Sequence, residues 1–161
     1  MPSRQQQFAT LLQRPTIDEI VSSYTALLQK RRDALEHTGS IGPWTQKPNA
    51  VTRSCAPEFA DLDDYDAART HLALWYAPTP ADPAFWTGAK KTVTDTAARA
   101  GFTTVTLSSD APSYYQLALT DSFGAALSFG ADKNVVLDLT TGCHLTAQAK
   151  TRGTPSAAPS R

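Results

Sequence analysis

No run of apolar residues in this chain approaches the roughly 18 that a membrane-spanning helix needs. Residues 1–14 likewise hold no apolar core of the kind an export signal uses. Charge of one sign is lacking too: 15 Lys and Arg balance 15 Asp and Glu, so nothing steers the chain toward nucleic acid or an anionic membrane surface. Glycine is scarce and scattered, at 8 residues. A phosphate loop, a G-x-G-x-x-G turn and a G-x-S-x-G elbow are all missing, and with them the usual routes to nucleotide chemistry and serine hydrolysis. The histidines His37, His71 and His144 form no H-x-x-x-H pair and the two cysteines no C-x-x-C, so neither a preformed zinc site nor a cofactor is expected.

What is present suits one folded domain. At 161 residues, 41% hydrophobic and 19% charged, the chain is long enough to bury a core and carries no sign of wholesale disorder. Residues 1–14 are polar and unpatterned and read as a flexible segment, residues 15–149 as a single domain, and residues 150–161, rich in Ser, Ala, Pro and Thr, as a disordered tail.

Thr16-Ile17-Asp18-Glu19 is a capping box, and Ile17, Ile20, Val21, Tyr24, Leu27, Leu28 and Leu35 follow at helical spacing toward Gly39. Lys30-Arg31-Arg32 reads as a solvated face that suits the C-terminal half of a helix. Residues 39–66 lose all periodicity and read as a long connection around Trp44 and Cys55. A strand is expected over 68–76. A second helix is expected to be capped by Asp82, to carry Pro83 in its first turn and to end at Gly101, with Phe85, Ala89, Val93, Ala97 and Ala100 on its buried stripe. Alternating segments at 103–108, 115–120, 127–129 and 135–139, separated by short turns, predict an antiparallel meander ending with a strand at 143–147. The fold class is therefore α+β: two helices packed on one face of a mainly antiparallel sheet of about five strands.

Several groups bear chemistry. Asp61, Asp63, Asp64 and Asp66, with Glu58 nearby, form the densest carboxylate cluster, but Tyr65 interrupts the ligand alternation and the glycine of a calcium loop is missing. An acidic loop of no special function and a weak cation site are the two readings. Cys143 and His144, adjacent in a strand, point to opposite faces and do not form a nucleophile–base pair. Ser108-Ser109-Asp110 and Thr140-Thr141 supply hydroxyls without a placed base. Trp44, Trp75, Trp86, Tyr114 and Tyr115 either pack in the core or line a groove.

Cys55 and Cys143 stand 88 positions apart (143 − 55). In an exported protein such a pair is usually bridged, and in a cytosolic one usually reduced. The combination of Pro43-Trp44, Cys55 in an acidic-leading loop, a strand and helix closing at Gly101, and Gly142-Cys143 before an apolar strand resembles the LppA-like lipoproteins of mycobacteria and related actinobacteria. The resemblance spans residues 14 to about 149. It implies a secreted precursor with a lipobox cysteine, neither of which is among these residues, and a single domain on the outer side of the membrane. It assigns no activity. It also implies Cys55 and Cys143 as a matched pair and Trp44 as a core neighbour.

The function expected on these grounds is that of a non-catalytic cell-envelope lipoprotein domain, held to the membrane only through an N-terminal lipid anchor. Its partner would be a protein or another envelope component. The alternatives are a small enzyme or ligand-binding protein whose site converges only in three dimensions, with Asp61 to Asp66 and His71 contributing, and an intracellular binding or inhibitor protein with two free thiols.

Overall fold

The computed structural model describes residues 2–39, 41–47 and 50–156. It opens with a helix, α1 (Arg4–Leu12), where the sequence reading has a flexible segment. The cause is local: Ser3 Oγ accepts from Gln6 N at 3.1 Å and Gln6 Oε1 accepts from Ser3 N at 2.7 Å, a capping box with glutamine as its return partner. Phe8 and Leu11 then bury one side.

Helix α2 (Ile17–Gly39) starts as expected, with Thr16 N donating to Glu19 Oε1 at 2.9 Å and Glu19 N to Thr16 Oγ1 at 3.3 Å. Ile20, Tyr24, Leu28 and Leu35 are buried along it. The basic run is not a solvated face. Lys30 is exposed, but the Arg32 guanidinium lies 3.4 Å from the centre of the Trp75 ring, and Arg31 is 0% exposed. Arg31 Nη1 donates to Leu27 O at 3.4 Å, while its Nε and Nη2 find no partner among the described residues.

Burial pushes the Arg31 guanidinium down to about 10, against 12.5 in the unfolded chain. Between those values the unfolded state binds more protons, so stability attributable to this group rises with pH there; at neutral pH the full cost of the buried charge is present. Arg31→Met should therefore stabilise the protein by about 1–4 kcal/mol, seen as a higher urea midpoint at pH 7. A lower midpoint would show that the charge has compensation beyond these contacts.

The described residues form a nine-stranded sheet and four helices rather than five strands and two helices. The meander is present as β5 (Thr104–Ala111), β6 (Tyr114–Thr120), β7 (Ala126–Ala131) and β8 (Asn134–Thr140), all antiparallel. Beyond β8 the single expected strand is split into β3 (Ala67–His71) and β4 (Leu74–Pro78). Both lie along β8, through His71↔Thr140 and Trp75↔Leu137. Four steps on that side (71 to 75) face three on β8 (140 to 137), the extra residue of a bulge.

Inside the segment expected to be irregular, β1 (Thr45–Lys47) pairs with β4 and β2 (Val51–Arg53) with β3. Helices α2 and α3 (Phe85–Arg99) pack with Leu117, Leu119, Leu127, Phe129, Val135, Leu137 and Leu139 of one sheet face in the main core.

The chain end is also ordered further than its composition suggests. The expected last strand is the two-residue β9 (His144–Leu145), followed by α4 (Ala147–Arg152), which Thr146 caps by accepting from Ala149 N at 3.1 Å. Residues 150–156 are tied down by Lys150 Nζ donating to Arg14 O at 2.7 Å, and by Arg152 Nη2 and Ser156 N donating to Asp66 at 2.6 and 2.7 Å. The rest of the expected tail, 157–161, lies outside the described residues.

A second, smaller core gathers Phe8, Leu11, Phe59, Leu62, Ala67, Leu145 and Ala149 around Cys55 and Cys143, whose Cα atoms are 5.7 Å apart with the sulfurs at bonding distance. Arg14 links the two cores, donating to Phe123 O at 3.1 Å and Cys143 O at 2.9 Å with its guanidinium beside the Phe59 and Phe123 rings.

Candidate functional site

The best-built concavity lies between α3 and the β5–β6 hairpin, a groove of about 430 Å³ within the size range of small-ligand sites. Helical spacing puts Trp86 and Lys90, four residues apart, on the same side of α3. The Trp86 ring is stacked between Phe129 (centroids 5.3 Å, planes 6° apart) and Tyr115 (4.9 Å, 25°), and Phe85 meets Tyr115 edge-on at 6.1 Å. From β5, Asp110 Oδ1 accepts from Trp86 Nε1 at 2.8 Å and from Lys90 Nζ at 2.9 Å. Those bonds, Lys90 first and Trp86 second, hold its carboxyl below the usual range.

Thr87, Thr94 and the Lys91–Asp95 pair (2.8 Å) complete the rim. The arrangement offers an aromatic wall, two cations, two carboxylates and two hydroxyls, with Asp110, Lys90 and Trp86 bonded to one another and the Lys91–Asp95 pair exposed at the rim. Such a groove suits recognition of a polar ligand that has a flat face.

Of the five aromatics singled out in the sequence, the structure brings only Trp86 and Tyr115 into this groove. Trp44 and Trp75 pack against the main core, and Tyr114 is 52% exposed at the start of β6. Asp110 is the residue that sequence reasoning passed over, noting only the hydroxyls beside it. Lys90 one turn beyond Trp86 was legible, but the carboxylate that joins them comes from another element.

The acidic residues border a larger hollow of about 850 Å³ beside the cysteine pair, with Phe59 and Tyr65. They do not converge. Asp61 Oδ2 accepts from Gln7 Nε2 at 3.1 Å and Asp63 Oδ1 from Tyr65 N at 2.8 Å. The turn closed by Asp66 N and Ala67 N on Asp63 O swings Asp66 inward to Arg152, leaving it 1% exposed. Glu58 lies toward Gly124 instead. Among the described residues no three His, Cys, Asp or Glu are grouped to hold a metal ion.

The histidines are equally dispersed. His71 Nε2 meets Asp138 Oδ1 at 2.6 Å, away from the acidic group it was expected to join. His144 is fully buried, its Nδ1 donates to Pro15 O at 2.8 Å, and burial pushes its pKa down. His37 is exposed in the last turn of α2. Cys143, committed to Cys55, has no catalytic relation to His144.

A family model described as LppA, lipoproteins confined to pathogenic Mycobacterium, matches residues 2–147. The chain belongs to the LppA family. The fold is that of LppA from Mycobacterium tuberculosis, whose crystal structure superposes with a TM-score of 0.70 at 15% identity, covering 96% of this chain and 92% of that one. A DUF4853 family protein from Actinomyces odontolyticus shares it more loosely, with a TM-score of 0.56 at 16% identity over 83% of this chain and 71% of that one. No curated protein matches.

Identities this low carry the fold alone. The LppA match itself spans the main core and the groove, and it bears out the resemblance to this family. A lipoprotein family points to an extracytoplasmic, envelope-associated location. Among the described residues no LppA helix is long and apolar enough to cross a membrane.

Proposed function

We propose that this LppA-family chain is the extracytoplasmic domain of a lipid-anchored protein, that it is non-catalytic, and that it binds an envelope component through the groove between α3 and β6. The observation that carries the reading is the state of the groove's charged groups. Asp110, Lys90, Lys91 and Asp95 are each held in an internal pair, while the Tyr115 ring and the exposed Thr87 remain at the surface. Paired charges make a rigid recognition frame, whereas a general base or nucleophile needs a free group aimed at substrate.

Co-sedimentation with purified mycobacterial cell wall tests this. The wild-type domain should pellet with the wall, and Tyr115→Ala should reduce the bound fraction roughly fivefold or more. Because Tyr115 also stacks on Trp86, the exposed Thr87→Arg, which fills the groove without touching the core, should do the same. Wall binding that is absent, or equal in all three proteins, overturns the groove assignment.

A further inference from the structure

The sheet ends in two unlike edges. One is interrupted: β1 and β2 are three residues each and carry Lys47 and Arg53. Shortness and cationic side chains are two of the devices by which sheets avoid pairing edge to edge. The other edge is β5, eight residues long, hydrogen-bonded to β6 on one side and with no strand beyond it among the described residues. It reads Thr-Val-Thr-Leu-Ser-Ser-Asp-Ala, without Lys, Arg or Pro, and Lys90 already neutralises its one carboxylate, Asp110. Val105 and Leu107 are 51% and 41% exposed. A bulge shifts the register between them, but from Leu107 to Ala111 the pairing with β6 is continuous, leaving an uninterrupted outer backbone edge.

We propose that this edge docks β5 of a second copy of the chain, antiparallel about a two-fold axis, so that two sheets become one. An open row of backbone N–H and C=O groups selects an extended strand as occupant. The side chains select a copy of the same strand: laid antiparallel on itself, a run of Thr, Val, Leu and Ser opposes hydroxyl and aliphatic groups with no like charge facing like. The charges agree. β5 ends at Ala111, and Asp110, its one charged residue, is already paired with Lys90, so antiparallel self-pairing sets no unpaired charge against another. A two-fold axis makes each cross-strand contact twice.

Sedimentation velocity over a concentration range of about a hundredfold decides it. The wild-type chain should pass from monomer to dimer, and Leu107→Lys should weaken the dimer about tenfold or more by setting cations against each other across the axis. Val51→Lys, on the interrupted edge, should leave it unchanged. Should Leu107→Lys lose its native circular dichroism, Ser108→Lys at an exposed position carries the same test. Amide hydrogen exchange over residues 107–111 should slow with rising concentration. A monomer throughout overturns the proposal and returns the edge to a strand of some other protein. A dimer indifferent to both β5 variants, or one that Val51→Lys weakens equally, overturns it as well.

Discussion

Replacing Cys55 and Cys143 together by alanine is expected to lower stability by at least about 4–5 kcal/mol, or roughly 8–20 °C in melting temperature for a domain of this size. Two causes add. A bond across 88 residues removes about 4–5 kcal/mol of freedom from the unfolded chain by the loop-entropy estimate. The sulfurs also fill the second core, where Cys55 is 3% and Cys143 2% exposed beside Phe8, Leu11 and Leu145, and alanine leaves part of that volume empty. The check is urea unfolding with and without reductant. The wild type should lose most of its advantage when reduced, and the double variant should not respond. Two freely reactive thiols in protein isolated from the envelope, with unfolding indifferent to reductant, would show that the bridge does not form.

Gly142→Ala should cost about as much, some 3–5 kcal/mol, for an unrelated reason. A Cβ built at Gly142 falls 1.7 Å from Phe123 O and 2.8 Å from Phe123 C. Both are backbone atoms, so no rotamer change relieves the clash. Nor is the Phe123 turn free to retreat, because Arg14 Nη1 donates to the same Phe123 oxygen at 3.1 Å and Asp121 Oδ1 accepts from Phe123 N and Ala125 N, each at 2.9 Å. Moving the turn means breaking the link between the two cores. Gly88→Ala supplies the contrast. Its Cβ would meet nothing within 4 Å inside α3, so removing helical glycine there should stabilise by about 0.5–1 kcal/mol. Paired thermal melts of the two variants should move in opposite directions; a Gly142→Ala melt within 1–2 °C of wild type, roughly 0.5 kcal/mol, would refute the close approach.

What could be read from sequence was what short-range chemistry decides. The Thr16 capping box, the α2 stripe, the Ala89, Val93 and Ala97 part of the α3 stripe and the turns of the β5–β8 meander all rest on residues within a few positions of one another. The start of α3 did not follow, since its N-cap is Ala84 without a side-chain bond rather than Asp82, Trp86 takes the buried place beside Phe85, and Ala100 is exposed. Other features depended on distant neighbours. Strands β1 and β2 have every residue exposed and so show no alternation; they exist because β4 and β3 offer them an edge. Arg31 looks like any cation in a helix's basic half, and only the packing of α2 on the sheet buries it. Helix α1 lay between these cases, since its box was present but used Gln6 and only Phe8, Leu11 and Leu12 as apolar residues. For the groove, Trp86 and Tyr115 were visible as candidates, whereas the role of Asp110 depended on the β5–α3 contact.

The placement of α1 has a mechanical consequence. If the protein is held at its N-terminal side, tension enters through α1, whose Phe8 and Leu11 share a cluster with the cysteine pair. With that pair bonded, force is carried across the covalent link, and the 87 residues between the cysteines, which include strands β3 to β8 and α3, are shielded from it. Pulled from its ends, such a domain would keep roughly 300 Å of chain that can never be paid out.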